Sequence, residues 1–81
     1  MENIATCSLS QLQVGEKAVL VNLNGGRGIA GRLTALGFTP GVEITMVQNS
    51  GKGPLIVFLR GARVALGRNE ARKIIVQRNG A

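Results

Sequence analysis

One run of residues has the spacing of a phosphate-binding loop. Gly26-Arg27-Gly28-Ile29-Ala30-Gly31 is a literal G-x-G-x-x-G, in which glycine backbone can approach a pyrophosphate at a helix N-terminus. It follows a strand-like pattern and opens a helix-like one. The rest of the dinucleotide signature does not follow. An acid about twenty residues on should end the second strand, whereas Glu43 begins one. The connections after residue 42 have hairpin length, and a dinucleotide domain needs parallel strands joined by crossovers. The same run mimics a Walker A loop, but Arg32 stands where Lys is required and Leu33 where Ser or Thr must hold magnesium. A weaker chemistry survives: Gly-rich amides and Arg27 at a helix N-terminus can hold a carboxylate or phosphate from a partner.

The remaining reactive side chains are few. The chain has no His and one Cys, Cys7. It also has no Asp, so its acids are Glu2, Glu16, Glu43 and Glu70. Cys7 with Met1 or Met46 offers one thiolate and thioethers, short of the roughly four convergent donors of a closed metal site. No imidazole base exists for a Ser-His-Asp or Cys-His arrangement. The expectation is a protein with no catalysis, no metal and no cofactor of its own.

At 81 residues and 44% hydrophobic content, the chain reads as one domain, 1–81, with a core over about 8–77 and a frayed basic tail at 78–81. A lone Cys closes no internal disulfide, and Met1-Glu2-Asn3-Ile4 has neither a basic nor an apolar leader character. The longest run of large apolar residues, Leu55 to Leu59, is far below the ~20 that cross a bilayer. A cytoplasmic location follows as the expectation.

The formal charge of +6 is unevenly spread. Lys17, Arg27, Arg32 and Lys52 face Glu2, Glu16 and Glu43 in residues 1–59, a net of +1. Arg60, Arg63, Arg68, Arg72, Lys73 and Arg78 face only Glu70 beyond, a net of +5. Such a stretch suits an anionic partner or a solvated face. A nucleic-acid module using Arg60, Arg63, Arg68, Arg72 and Lys73 is the alternative reading. Single strands, however, are usually stacked on aromatics, and Phe38 and Phe58 are the only aromatics, both in apolar surroundings that read as core.

Elements follow from periodicity. Ser8-Leu9-Ser10-Gln11 fits a capping box opening a short helical turn. Lys17 to Leu23 alternates, with Val19, Val21 and Leu23 on one face. Ile29, Leu33 and Leu36 fall on one helix face from Arg27 to Leu36, with Gly31 permitting close approach to the sheet. Gly37 fits a left-handed cap with Phe38 folding back over the last turn. Thr39-Pro40-Gly41-Val42 matches a type II turn. Val42, Ile44 and Met46 alternate in a strand running to about Gln48, and Asn49 to Pro54 is a hairpin loop. Leu55 to Leu59 reads as a strand buried on both faces. A tight turn at Gly61-Ala62 leads to a strand over Arg63 to Leu66, a helical turn over Asn69 to Lys73 and a last strand over Ile74 to Gln77. Five short strands with one helix after the first suggest a bent sheet closing toward a barrel.

From Arg32 to Gly41 the chain reads R-L-x-x-L-G-F-x-P-G and resembles the FeoA family of small cytoplasmic proteins associated with bacterial ferrous-iron transport. Leu12-Gln13-Val14-Gly15, Gly53-Pro54-Leu55, Arg60-Gly61, Val64-Ala65-Leu66 and Glu70-Ala71-x-x-Ile74-x-Val76 continue the pattern in order. The chain departs from it at Lys52-Gly53-Pro54, where many relatives carry Gly-Asp-Pro, and in its basic tail. The resemblance implies a mainly β fold, an SH3-like barrel of five to six short strands with one helix inserted after the first. It also implies a partner: the cytoplasmic part of FeoB, a membrane transporter with a GTP-binding domain. Similar domains accompany the DNA-binding helices of iron-dependent repressors, and no such helices fit here. The partner-binding residues expected are Arg27, Arg32, Leu36, Phe38, Pro40 and Gly41. Buried leucines and turn residues also have an architectural reading, which leaves the arginines as the stronger contacts. No small-molecule substrate and no nucleic acid are expected, and the membrane is reached only through the transporter.

Overall fold

The corner between the helix and the next strand is written in local backbone chemistry. Helix α1 spans Gly26–Ala35, and Gly37 follows it with φ of +107°. The N–H of Phe38 donates to the Leu33 carbonyl at 3.0 Å and that of Gly37 to Thr34 at 3.0 Å, the paired bonds of a Schellman cap. Phe38 is thereby driven fully into the core. Two residues on, Gly41 takes φ of +91°, and Val42 N–H donates to the Thr39 carbonyl at 3.0 Å, closing the type II turn. The corner is then tied to the sheet. Gly41 N–H donates to the Leu20 carbonyl at 2.8 Å, and Leu20 N–H to Val42 at 2.9 Å.

The computed structural model describes residues 6–78. Around the corner run β1 (Thr6–Ser8), β2 (Lys17–Leu23), β3 (Glu43–Gln48), β4 (Leu55–Leu59), β5 (Ala62–Leu66), α2 (Arg68–Arg72) and β6 (Ile74–Arg78), with a 3-10 turn at Leu9–Gln11. The six strands form one antiparallel sheet in the order β1-β6-β2-β3-β4-β5. This sheet wraps a single apolar core, which includes Leu9, Leu20, Leu33, Phe38, Ile44, Val57 and Ile74. Gln11 Oε1 accepts the Ser8 N–H at 3.0 Å, one half of the expected capping box. Asn49 Nδ2 donates to the Ser10 and Leu12 carbonyls at 3.1 and 2.8 Å, pinning the β3–β4 loop to the 3-10 turn.

The mainly β barrel is as expected, with differences that matter for the surface. Pairing of Thr6–Ser8 with β6 adds an N-terminal strand, so α1 follows the second strand. In β2 the buried side chains are Ala18 and Leu20, while Val21 is exposed. Both faces of that strand are apolar, so alternation alone selected the wrong one, and a bulge between Leu20 and Asn22 shifts the register further. The β4–β5 turn is Arg60-Gly61, both at positive φ, +50° and +83°, a two-residue primed hairpin one position earlier than expected. A Cβ on Gly31 would meet nothing within 4 Å, so this glycine does not serve close packing. Arg78 is part of β6 and its Nε donates to Glu16 Oε2 at 3.1 Å. The rest of the expected frayed tail, Asn79 to Ala81, and Met1 lie outside the described residues.

Candidate functional site

Strand register assembles a row that sequence spacing does not reveal. Lys17 lies opposite Thr45, Thr45 opposite Phe58, and Phe58 opposite Arg63. Directly opposed residues share a face of the sheet, so these four side chains cross β2, β3, β4 and β5 in one line. Their neighbours along the strands, Ala18, Ile44, Met46 and Val57, fill the core, which sets the row on the outer face. Phe58 is therefore 43% exposed, against the expectation that both phenylalanines are core and that β4 is buried on both faces. The signal was hidden because Leu55 to Leu59 is apolar at every position.

Beside this row lies an open cleft of about 620 Å³, lined by Lys17, Val42, Glu43, Thr45, Val47, Phe58, Leu59, Arg60 and Arg63. Its walls are apolar and its rim carries three cations and one carboxylate. Arg60 reaches it from a left-handed turn position, and its aliphatic stem passes beside the α1 corner. A Cβ built on Gly37 would come within 3.0 Å of Arg60 Cδ.

The expected contact residues separate. Leu36, Pro40 and Gly41 are exposed at the corner, with Leu36 at 47%. Phe38 is buried and inaccessible to a partner, because the Schellman cap turns it inward. Arg27 is exposed at the opposite end of α1, roughly 13 Å away at 1.5 Å per residue. Arg32 is ion-paired with Glu70 of α2, and the other oxygen of Glu70 accepts the Gly67 N–H at 3.1 Å. The basic C-terminal stretch is likewise dispersed. Arg68 donates to the Gly53 carbonyl at 3.1 Å and to Asn49 Oδ1, and Arg72 to Asn69 at 3.0 Å. Only Arg60 and Arg63 of that stretch reach the cleft.

The Gly26 to Gly31 run does open a helix after a strand, but every strand pairing is antiparallel, which removes the dinucleotide fold. Among the described residues no three of His, Cys, Asp and Glu converge, and no helix is long and apolar enough to cross a membrane. Glu16 has its carboxyl held below the usual range, first by the Gln13 N–H at 2.7 Å and further by Arg78.

Fold and surface together define a class: an SH3-like barrel carrying a cation-rimmed cleft on its outer sheet. Within that class the chain belongs to the FeoA domain family, which matches residues 7–78. A curated relative from Methanocaldococcus jannaschii, named "Putative Fe(2+) transport protein A", is 32% identical over 63 residues, covering 78% of this chain and 76% of its own. The crystal structure of an iron uptake regulatory protein, FeoA, superposes with a TM-score of 0.87 at 31% identity, over 91% of this chain and 99% of that one. FeoA of Stenotrophomonas maltophilia, complexed with zinc, gives a TM-score of 0.77 at 35% identity, over 85% and 87%. That protein is described as an SH3 domain protein and a possible ferrous iron transport activating factor.

Proposed function

We propose that this chain is a non-catalytic accessory protein of ferrous-iron uptake, acting in the cytoplasm by binding the cytoplasmic part of a FeoB-type GTP-binding transporter. The observation that carries this reading is the family match along residues 7–78. It is supported by a surface suited to protein contact: the exposed Leu36, Pro40 and Gly41 at the α1–β3 corner, backed by a rigid cap and turn. Arg27, at the far end of α1, stands apart from this corner. Arg32 contributes through the guanidinium edge left exposed by its pairing with Glu70. An apolar side chain on a fixed corner offers contact area with little ordering entropy. The test is a pull-down of the transporter's cytoplasmic domain by the full chain, with and without guanine nucleotide. Recovery of the domain by the wild-type chain, reduced by Leu36→Glu, supports the reading. No recovery in either nucleotide state overturns it.

A further inference from the structure

We infer that the cleft on the outer sheet is a docking surface for an extended acidic segment of a protein partner, one that places a single large aromatic side chain between two carboxylates. This deepens the proposed function and rests on the reading that the chain works by binding another protein.

Charge complementarity selects the occupant. Lys17, Arg60 and Arg63 ring the cleft with Glu43, and neither Arg32–Glu70 nor Arg78–Glu16 draws on those three cations. Other cations of the C-terminal stretch are turned to structural bonds, Arg68 to the β3–β4 loop and Arg72 to Asn69. Three of the cations outside those bonds, Lys17, Arg60 and Arg63, stand beside the exposed Phe58, whereas Arg27, Lys52 and Lys73 lie outside the cleft. Phe58 stands centrally, with Thr45 and Lys17 on one side and Arg63 directly opposite on the other. An aromatic ring is the suited anchor here, since it can pack on Phe58 and lie under the Arg63 guanidinium as well.

Register also fixes the spacing. Lys17 and Arg63 are three strand separations apart, roughly 14 Å at 4.7–4.9 Å each. An extended segment advances about 3.3 Å per residue with alternate side chains on one face, so carboxylates four positions apart reach both cations, and an aromatic between them on the same face packs over the Thr45 and Phe58 part of the row. The motif expected is acidic-x-aromatic-x-acidic. Single-stranded nucleic acid fits less well, because it is bound by several stacking aromatics along a basic groove. Phe58 is the only exposed aromatic among the described residues.

The experiment follows amide shifts of the labelled full chain as a capped pentapeptide, Glu-Ser-Trp-Ser-Glu, is added. The expected result is a saturable shift of residues 17, 43–47 and 56–65 with a dissociation constant of roughly a millimolar. Peptides with Lys for Glu, or Ala for Trp, should bind at least about threefold more weakly, as should Phe58→Ala and Arg63→Glu of the chain. Both substituted side chains are exposed, and retained shift dispersion verifies folding. No saturation by about 10 mM peptide overturns the inference, as do shifts centred on Arg27 or Arg72, or an equal-length oligonucleotide that saturates the same residues more tightly. Pull-down of the transporter domain separates the two readings. Capture by the wild type and equally by Phe58→Ala overturns the cleft assignment alone, and no capture with peptide binding intact overturns the transporter reading alone.

Discussion

Arg32 on α1 and Glu70 on α2 are ion-paired across 38 residues of chain. The pair joins two helices that flank the barrel, and Glu70 simultaneously caps α2 through the Gly67 N–H. Arg32 is 62% exposed and Glu70 23%, so the ion pair itself is worth at most about 1 kcal/mol. Losing the cap costs a further ~0.5–1 kcal/mol. Urea denaturation should therefore rank Glu70→Ala as more destabilising than Arg32→Ala. Equal effects would mean that the cap contributes nothing. Arg32→Glu sets two carboxylates against each other, which makes it a poor probe of partner binding.

The acid limb of stability should report Glu16. Its folded pKa is depressed, so its contribution is fully present above the ordinary carboxylate range and disappears as pH falls through the folded value. Thermal melts of Glu16→Gln should lie below wild type at neutral pH and converge with it in strong acid. A gap that persists in strong acid would assign the loss to packing.

Gly37 and Arg60 should behave as a coupled pair. Gly37→Ala forces a Cβ into a left-handed position, at about 1–2 kcal/mol, and against the Arg60 stem 3.0 Å away. Removing the stem with Arg60→Ala should recover part of that loss in a double-mutant cycle. Strict additivity would show that the stem yields freely.

Leu33 and Leu36 share a helix face by spacing but not by environment. Leu33 is fully buried and Leu36 is 47% exposed. Leu33→Ala should cost about 2–5 kcal/mol, while Leu36→Ala should shift stability by less than about 0.5 kcal/mol. Comparable losses would contradict the placement of the corner.

What could be read from the sequence was what local chemistry encodes. Gly37, Pro40 and Gly41 specify their own backbone, and the cap and turn stand where they were expected. Alternation at Ile44 and Met46 found the right face because Glu43 and Thr45 mark the other. In β2 no polar residue marks a face between Ala18 and Val21, and in β4 none does at all, so Val21 and Phe58 looked like core. The cleft was out of reach for a second reason. Lys17, Thr45, Phe58 and Arg63 meet only through the register of four strands, and Arg32–Glu70 and Glu16–Arg78 are partners of long sequence separation. Three-residue β1 carries too little pattern to be recognised without its partner β6.

The most direct measurement of the central claim is a titration of the full chain with the cytoplasmic domain of the FeoB-type transporter, in GDP and in a GTP analogue. The account predicts saturable binding in at least one nucleotide state, weakened at least about tenfold, or ~1.4 kcal/mol, by Leu36→Glu. A folded wild-type chain that shows no saturable binding in either state would contradict it.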